Sequence, residues 1–255
     1  MEKTKIFYSR VKLKDPILVV GLPGIGSVGS LVGEHLKNAL SAKRFATLQS
    51  PFFPHEVVML KKGGMRLVNN RFYYYKNSKK GAAQHDIIIL LGDVQAVSTE
   101  GQYEVNEKIV RFFKSLGGKT IYTIGGYNFA NQYVQKPRVF GVATSQATKK
   151  YLEKQGVIFG EAAGMIIGSA GMIAAFAKRH NINSACLMGE TGLVDVDANA
   201  SKAVLEILSK ILGVKLDLSD IDKIGKETER MVKEMERAMA GAQPQPSKDN
   251  FTYIR

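Results

Sequence analysis

Short apolar runs bounded by turn residues recur along the chain, at Ile17 to Val20, Val57 to Leu60, Ile87 to Leu91, Thr120 to Ile124 and Ser184 to Met188. Their length and aliphatic content predict buried strands. Between them lie longer amphipathic stretches, Ser27 to Ala42, Tyr103 to Leu116, Ser145 to Gln155 and Gly164 to Arg179, which predict helices. Strand and helix alternating in this way predict an α/β fold, a largely parallel sheet covered by helices. One segment breaks the alternation. Glu56 to Leu60, the turn Lys61-Lys62-Gly63-Gly64, and Met65 to Tyr75 read as a hairpin, so the sheet is expected to be mixed. Gly164, Gly168 and Gly171, spaced four and three apart, predict a smooth helix face packed closely on the sheet.

The pattern changes after Gly213. Ser219 is placed to cap a helix whose apolar positions Ile221, Ile224, Met231, Met235 and Met239 make a narrow stripe between charged residues. Such a helix needs a surface to dock on, its own body or another copy, and the reading favoured here is homo-oligomer assembly. Gly241 to Asn250 has two prolines and no apolar periodicity, the marks of a flexible linker. The chain then ends Phe251-Thr252-Tyr253-Ile254-Arg255, an aromatic and apolar tip suited to capture by a partner. The expected organisation is a core over residues 1 to 215, an assembly helix over 216 to 240 and a linker with a docking tail over 241 to 255.

Composition supports a folded chain: 255 residues, 45% hydrophobic and 23% charged, enough for a large core without disulfides or a structural metal. A lone cysteine, Cys186, and an N-terminal segment without a leader pattern point to a reducing, cytoplasmic setting. The longest apolar stretch, Ala162 to Ala177, is broken by glycines and falls short of the roughly 20 residues of a membrane span. The formal charge of +13 is uneven: residues 1 to 80 hold 15 Lys or Arg against 4 Asp or Glu. Such a field favours acidic partners. Tyr73-Tyr74-Tyr75 beside Arg71, Lys76, Lys79 and Lys80 would make a stacking face for single-stranded nucleic acid, although aromatics in such a strand more often serve packing.

Candidate chemistry centres on Gly24-Ile25-Gly26-Ser27-Val28-Gly29, which follows a strand and opens a helix as a dinucleotide fingerprint does. The fingerprint also needs an acidic residue about 20 positions on. Phe45 to Pro51 offers none, and no cofactor is expected. His35, His55, His85 and His180 are scattered without ligand spacing, so no metal site is indicated. Asp93, Glu100, Glu104, Glu190, Asp195 and Asp197 follow predicted strands, where α/β enzymes place their chemistry, but no base, nucleophile and oxyanion site can be named together.

Pro23 to Gly29, Leu91-Gly92-Asp93-Val94-Gln95, Gly101-Gln102-Tyr103, Gly125-Gly126 and Gly189-Glu190-Thr191-Gly192, in this order, resemble the proteasome assembly chaperone family, in particular its archaeal homologues. The match spans roughly residues 10 to 215. The resemblance implies a nucleoside-phosphorylase-like sandwich without enzymatic activity, acting as assembly chaperone or ATP-independent activator on the α-subunit ring of the core proteasome. It makes the glycine turn and Asp93 scaffold, and leaves room for a related assembly-chaperone protein as a further partner. It also implies docking through the tail, by Phe251, Tyr253, Ile254 and Arg255. Family tails carry tyrosine next to last, whereas Tyr253 is third from last: the tail either works in a shifted register, with Tyr253 as anchor and Arg255 supplying the carboxylate, or is non-functional. The rival readings are a nucleoside- or nucleotide-processing enzyme using Asp93, Glu190 or Asp195, and a basic nucleic-acid binder, which this resemblance disfavours.

Overall fold

The structure is a computed structural model that describes residues 3–61, 63–77, 85–128, 134–161, 164–192 and 194–241, with side chains up to 234 in the last segment. Its elements are β1 (Lys5–Tyr8), β2 (Ile17–Gly21), α1 (Val28–Ala39), β3 (Lys43–Gln49), β4 (Val57–Met59), β5 (Met65–Leu67), β6 (Asn70–Tyr75), β7 (Ile87–Gly92), α2 (Thr99–Ser115), β8 (Thr120–Asn128), β9 (Val139–Ala143), α3 (Gln146–Glu153), α4 (Ser169–Arg179), β10 (Asn183–Thr191), α5 (Ala198–Leu212) and α6 (Ser219–Gly241).

Eight strands form one sheet in the order β1-β3-β6-β7-β2-β8-β10-β9. The central four, β7, β2, β8 and β10, are parallel, and antiparallel strands extend the sheet on both sides. The mixed α/β architecture expected from the alternation is present. Strand alternation sends Ile17, Val19, Ile87 and Ile89 to one face, where α1, α3, α5 and the start of α6 cover them. Leu18, Val20, Ile88 and Leu90 pack on the opposite face under α2 and α4. Runs buried on both faces read as continuously apolar, which is why β2 and β7 were legible.

Three local expectations are corrected. Val57 to Leu60 is not a buried strand: β4 pairs only with β5 in a separate two-stranded hairpin, while β6 joins the main sheet between β3 and β7. Gly164 and Gly168 are not on a helix face, because both have positive φ in the loop before α4, and only Gly171 is helical. The three tyrosines do not share a face. Tyr74 meets Phe45 edge-on at 5.8 Å within one core, and Tyr73 packs against the other, so the strand serves packing rather than a stacking platform.

Of the residues expected to assemble copies, Ile221 is 2% exposed and Ile224 packs beside it, so these two fix α6 to its own chain's core. Met231 is 60% exposed. Met235 and Met239 lie on α6 with side chains outside the described residues, as do the whole of Phe251, Tyr253, Ile254 and Arg255.

Candidate functional site

The carboxyl ends of β7, β2, β8 and β10 gather all the glycine-containing motifs at one edge of the sheet. After β2, a single turn over Ile25–Ser27 leads into α1, with Gly26 at φ +60° and Ser27 also left-handed. Neighbouring backbone explains the small residues. A Cβ on Gly29 would fall 2.6 Å from the Leu22 carbonyl and 2.9 Å from that of Ile124, and one on Gly126 would collide with the Ile25 carbonyl. Close approach of helix and strand, rather than access to a pyrophosphate, is what these glycines provide here.

Side chains from the neighbouring motifs lock the turn. Gln95 donates from Nε2 to the Pro23 carbonyl at 2.5 Å, and its Oε1 accepts the Ser169 amide at 2.8 Å. Gln102 donates to the Ala96 carbonyl at 2.6 Å and accepts from Asn106 at 2.9 Å. The Asp197 amide donates to the Gly26 carbonyl at 2.8 Å, while its carboxylate accepts from Thr191 Oγ1 at 2.8 Å and caps α5 through the Ala200 amide at 2.9 Å. Motifs distant in sequence thus become one hydrogen-bonded frame.

The other acidic candidates have structural partners too. Asp93 binds Arg66 at 2.5 and 3.0 Å, Arg71 at 3.0 Å and the Asn69 amide at 2.9 Å. Burial works against its charge, yet hydrogen bonds from Arg66 and Asn69 and the nearby Arg71 hold the carboxyl below its ordinary value. Glu190 is buried and takes Arg138 through Nε at 3.0 Å, Nη2 at 2.8 Å and the backbone amide at 3.0 Å; this pairing lowers its pKa against the cost of burial. Glu104 accepts the Thr4 amide at 3.0 Å. Glu100 sits in the first turn of α2, and Asp195 lies exposed in the loop before α5. The edge brings Glu190 and Asp197 onto the frame and places Asp93 beside the hairpin. It assembles no base with a nucleophile from these residues. Burial pushes the Cys186 thiol up to about 11. Among the described residues no three His, Cys, Asp or Glu cluster as metal ligands, and no helix is long and apolar enough to cross a membrane.

What the frame presents outward is apolar. Ile25, Tyr127, Met165, Ile166, Ile167 and Met188 line an open cleft of about 180 Å³ beside the turn. Met165 and Ile167 are 92% and 89% exposed. Sequence reading missed this cleft because Gly-Met-Ile-Ile-Gly passed for the start of a helix; glycines at both ends of a short apolar run were the available signal of a loop.

A model of the PAC2 family matches residues 18–236. The chain belongs to the PAC2 family. Among solved structures it is similar to Pyrococcus furiosus PbaB, an archaeal proteasome activator, with 36% identity and a TM-score of 0.85 over 92% of this chain and 100% of that one. It is also similar to Pyrococcus furiosus PbaA, an archaeal homolog of proteasome-assembly chaperone, with 26% identity and a TM-score of 0.75 over 94% of each chain. The uncharacterized protein MJ1210 of Methanocaldococcus jannaschii is 32% identical over 100% of this chain and 99% of that protein. For this PAC2-family chain, the frame of glycine turn, Gln95, Gln102, Thr191 and Asp197 therefore accounts for the sequence motifs as architecture of the fold.

Proposed function

We propose that this PAC2-family protein is a non-enzymatic proteasome-binding protein of the cytoplasm, acting on the core proteasome as an ATP-independent activator or as an assembly chaperone. The observation that carries this reading is the 36% identity and 0.85 TM-score with the solved chain of PbaB, over 92% of this chain and all of that one. The engagement of Asp93, Glu190 and Asp197 in ion pairs and capping supports a binding rather than a catalytic role for the edge. Docking is assigned to the tail, Phe251 to Arg255, on the α-subunit ring, with Tyr253 as the buried anchor and the Arg255 carboxylate as the charged contact. Assembly of several copies gives a ring of identical subunits several weak tails at once, so avidity supplies the affinity.

Hydrolysis of a small fluorogenic peptide by purified core proteasome, without ATP, tests the activator form. Full-length protein is expected to raise the rate and a chain ending at Asn250 to leave it unchanged. An equal effect of both chains would take the tail out of the mechanism, and binding without any change in rate would favour the assembly role.

A further inference from the structure

Two apolar surfaces lie bare at the same edge of the fold, one convex and one concave. On the β4–β5 hairpin, Val57 stands opposite Leu67 and Met59 opposite Met65, all four on one face. Their neighbours turn the other way: Val58 packs on the core and Arg66 ties the hairpin to Asp93. The anchored hairpin therefore holds out an apolar face, with Met59 88% and Met65 73% exposed. The concave surface is the cleft between the Gly26 turn and Met165 to Ile167, continued by a second hollow of about 280 Å³ that shares Ile25, Ile166, Ile167 and Met188. A contiguous apolar area of this kind marks an interaction surface.

We propose that the β4–β5 hairpin of one copy seats in this cleft on a second copy. This rests on the reading that the protein assembles from several copies, and it moves the contact from α6, whose Ile221 and Ile224 are committed to their own core. Both halves of the contact belong to the same chain, and neither is filled by its own counterpart. Apart from Tyr127 and Gln95, the side chains lining the two hollows are apolar. Gln95, which lines the second hollow, is already bonded at both ends of its amide. A small polar ligand therefore has little to hold it, whereas unbranched methionine side chains adapt to irregular apolar walls. Charge does not oppose it: Lys61 sits in the hairpin turn and Asp195 is exposed in the loop before α5, while Glu161 is already paired with Arg138 at 3.3 Å. A strongly acidic partner would instead call for a rim of cations. Each copy gives a hairpin and receives one, either reciprocally within a two-fold dimer or head-to-tail around a larger assembly.

The test uses full-length chains carrying Met65→Cys or Ile167→Cys, expressed separately and together. Cys186 is buried with its thiol pushed up to about 11, so it stays silent. Mild oxidation should give a two-chain disulfide product at least tenfold stronger in the co-expressed pair than in either variant alone. In parallel, Met59→Asp with Met65→Asp should reduce the particle mass in light scattering to one chain, with the circular dichroism spectrum retained. A multi-copy particle without the hairpin-to-cleft disulfide, or with its mass unchanged by the two aspartates, overturns this contact while leaving assembly standing. A wild-type particle of one chain overturns both.

Discussion

Alanine at three glycines of the same turn separates a structural frame from a cofactor loop. Gly24 is extended, at φ −174°, and an added Cβ meets nothing within 4 Å. Gly24→Ala should therefore be neutral, or stabilising by about 0.4–1 kcal/mol through the reduced freedom of the unfolded chain. Gly26 is at φ +60°, where a non-glycine residue costs roughly 1–2 kcal/mol. Its Cβ would also fall 2.6 Å from Thr191 Oγ1, the buried hydroxyl that donates to Asp197. Displacing that bond adds about 1 kcal/mol, for a total of about 2–3 kcal/mol. At roughly 2–4 °C per kcal/mol for a chain of this size, Tm should fall by about 5–10 °C. Gly29→Ala places its Cβ against two backbone carbonyls that cannot rotate away, so overpacking of about 1–3 kcal/mol is expected despite the better helix propensity of alanine. Thermal unfolding followed by circular dichroism measures all three. A dinucleotide loop requires the first glycine as much as the second. A loss at Gly24→Ala equal to that at Gly26→Ala would refute the account of the turn as a packing device.

Truncating Ile221 to alanine should cost about 2–5 kcal/mol in urea unfolding, because the side chain fills the core under α5 and α1. Met231→Ala should stay within about 0.5 kcal/mol, and similar losses at the two positions would show that α6 does not dock as described. Arg138→Ala should lower Tm at neutral pH by exposing Glu190 to burial without its partner. The pairing holds Glu190 below its ordinary pKa, so its contribution is full above the usual carboxylate range and fades as pH falls through the lowered value. The gap between wild type and Arg138→Ala should therefore narrow from pH 7 towards pH 3, and a gap independent of pH would point to lost packing instead.

The parts of the fold that could be read from sequence are those whose residues meet one uniform environment. Ile17 to Val20 and Ile87 to Leu91 are buried on both faces and announce themselves as apolar runs. β1 at one sheet edge is short, with Lys5 and Phe7 both exposed, so it shows no alternation, while β9 at the other edge is a five-residue apolar stretch interrupted by Gly141. Val57 to Leu60 looked like a core strand because its apolar residues face outward on a hairpin, a case in which hydrophobicity reports an interaction surface rather than burial. The site follows the same division. The glycine motifs were visible, but their convergence is tertiary: Gln95 reaching Pro23 and Ser169, or Asp197 reaching Gly26, joins residues about seventy to one hundred and seventy positions apart, which local spacing does not encode. The stripe on α6 was correctly helical, yet periodicity alone does not distinguish docking on the chain's own core from docking on another copy.

The central claim is that this PAC2-family protein binds the core proteasome through its tail. Its most direct test is capture of purified proteasome α subunits by the full-length protein and by a chain ending at Asn250, each at low and high salt. The account predicts retention by the full-length protein, loss with the five-residue truncation, and only partial weakening by salt, since Tyr253 buries apolar surface as well as the terminus bearing charge. Undiminished capture by the truncated chain would contradict tail docking, and capture by neither chain would contradict the proteasome as the partner.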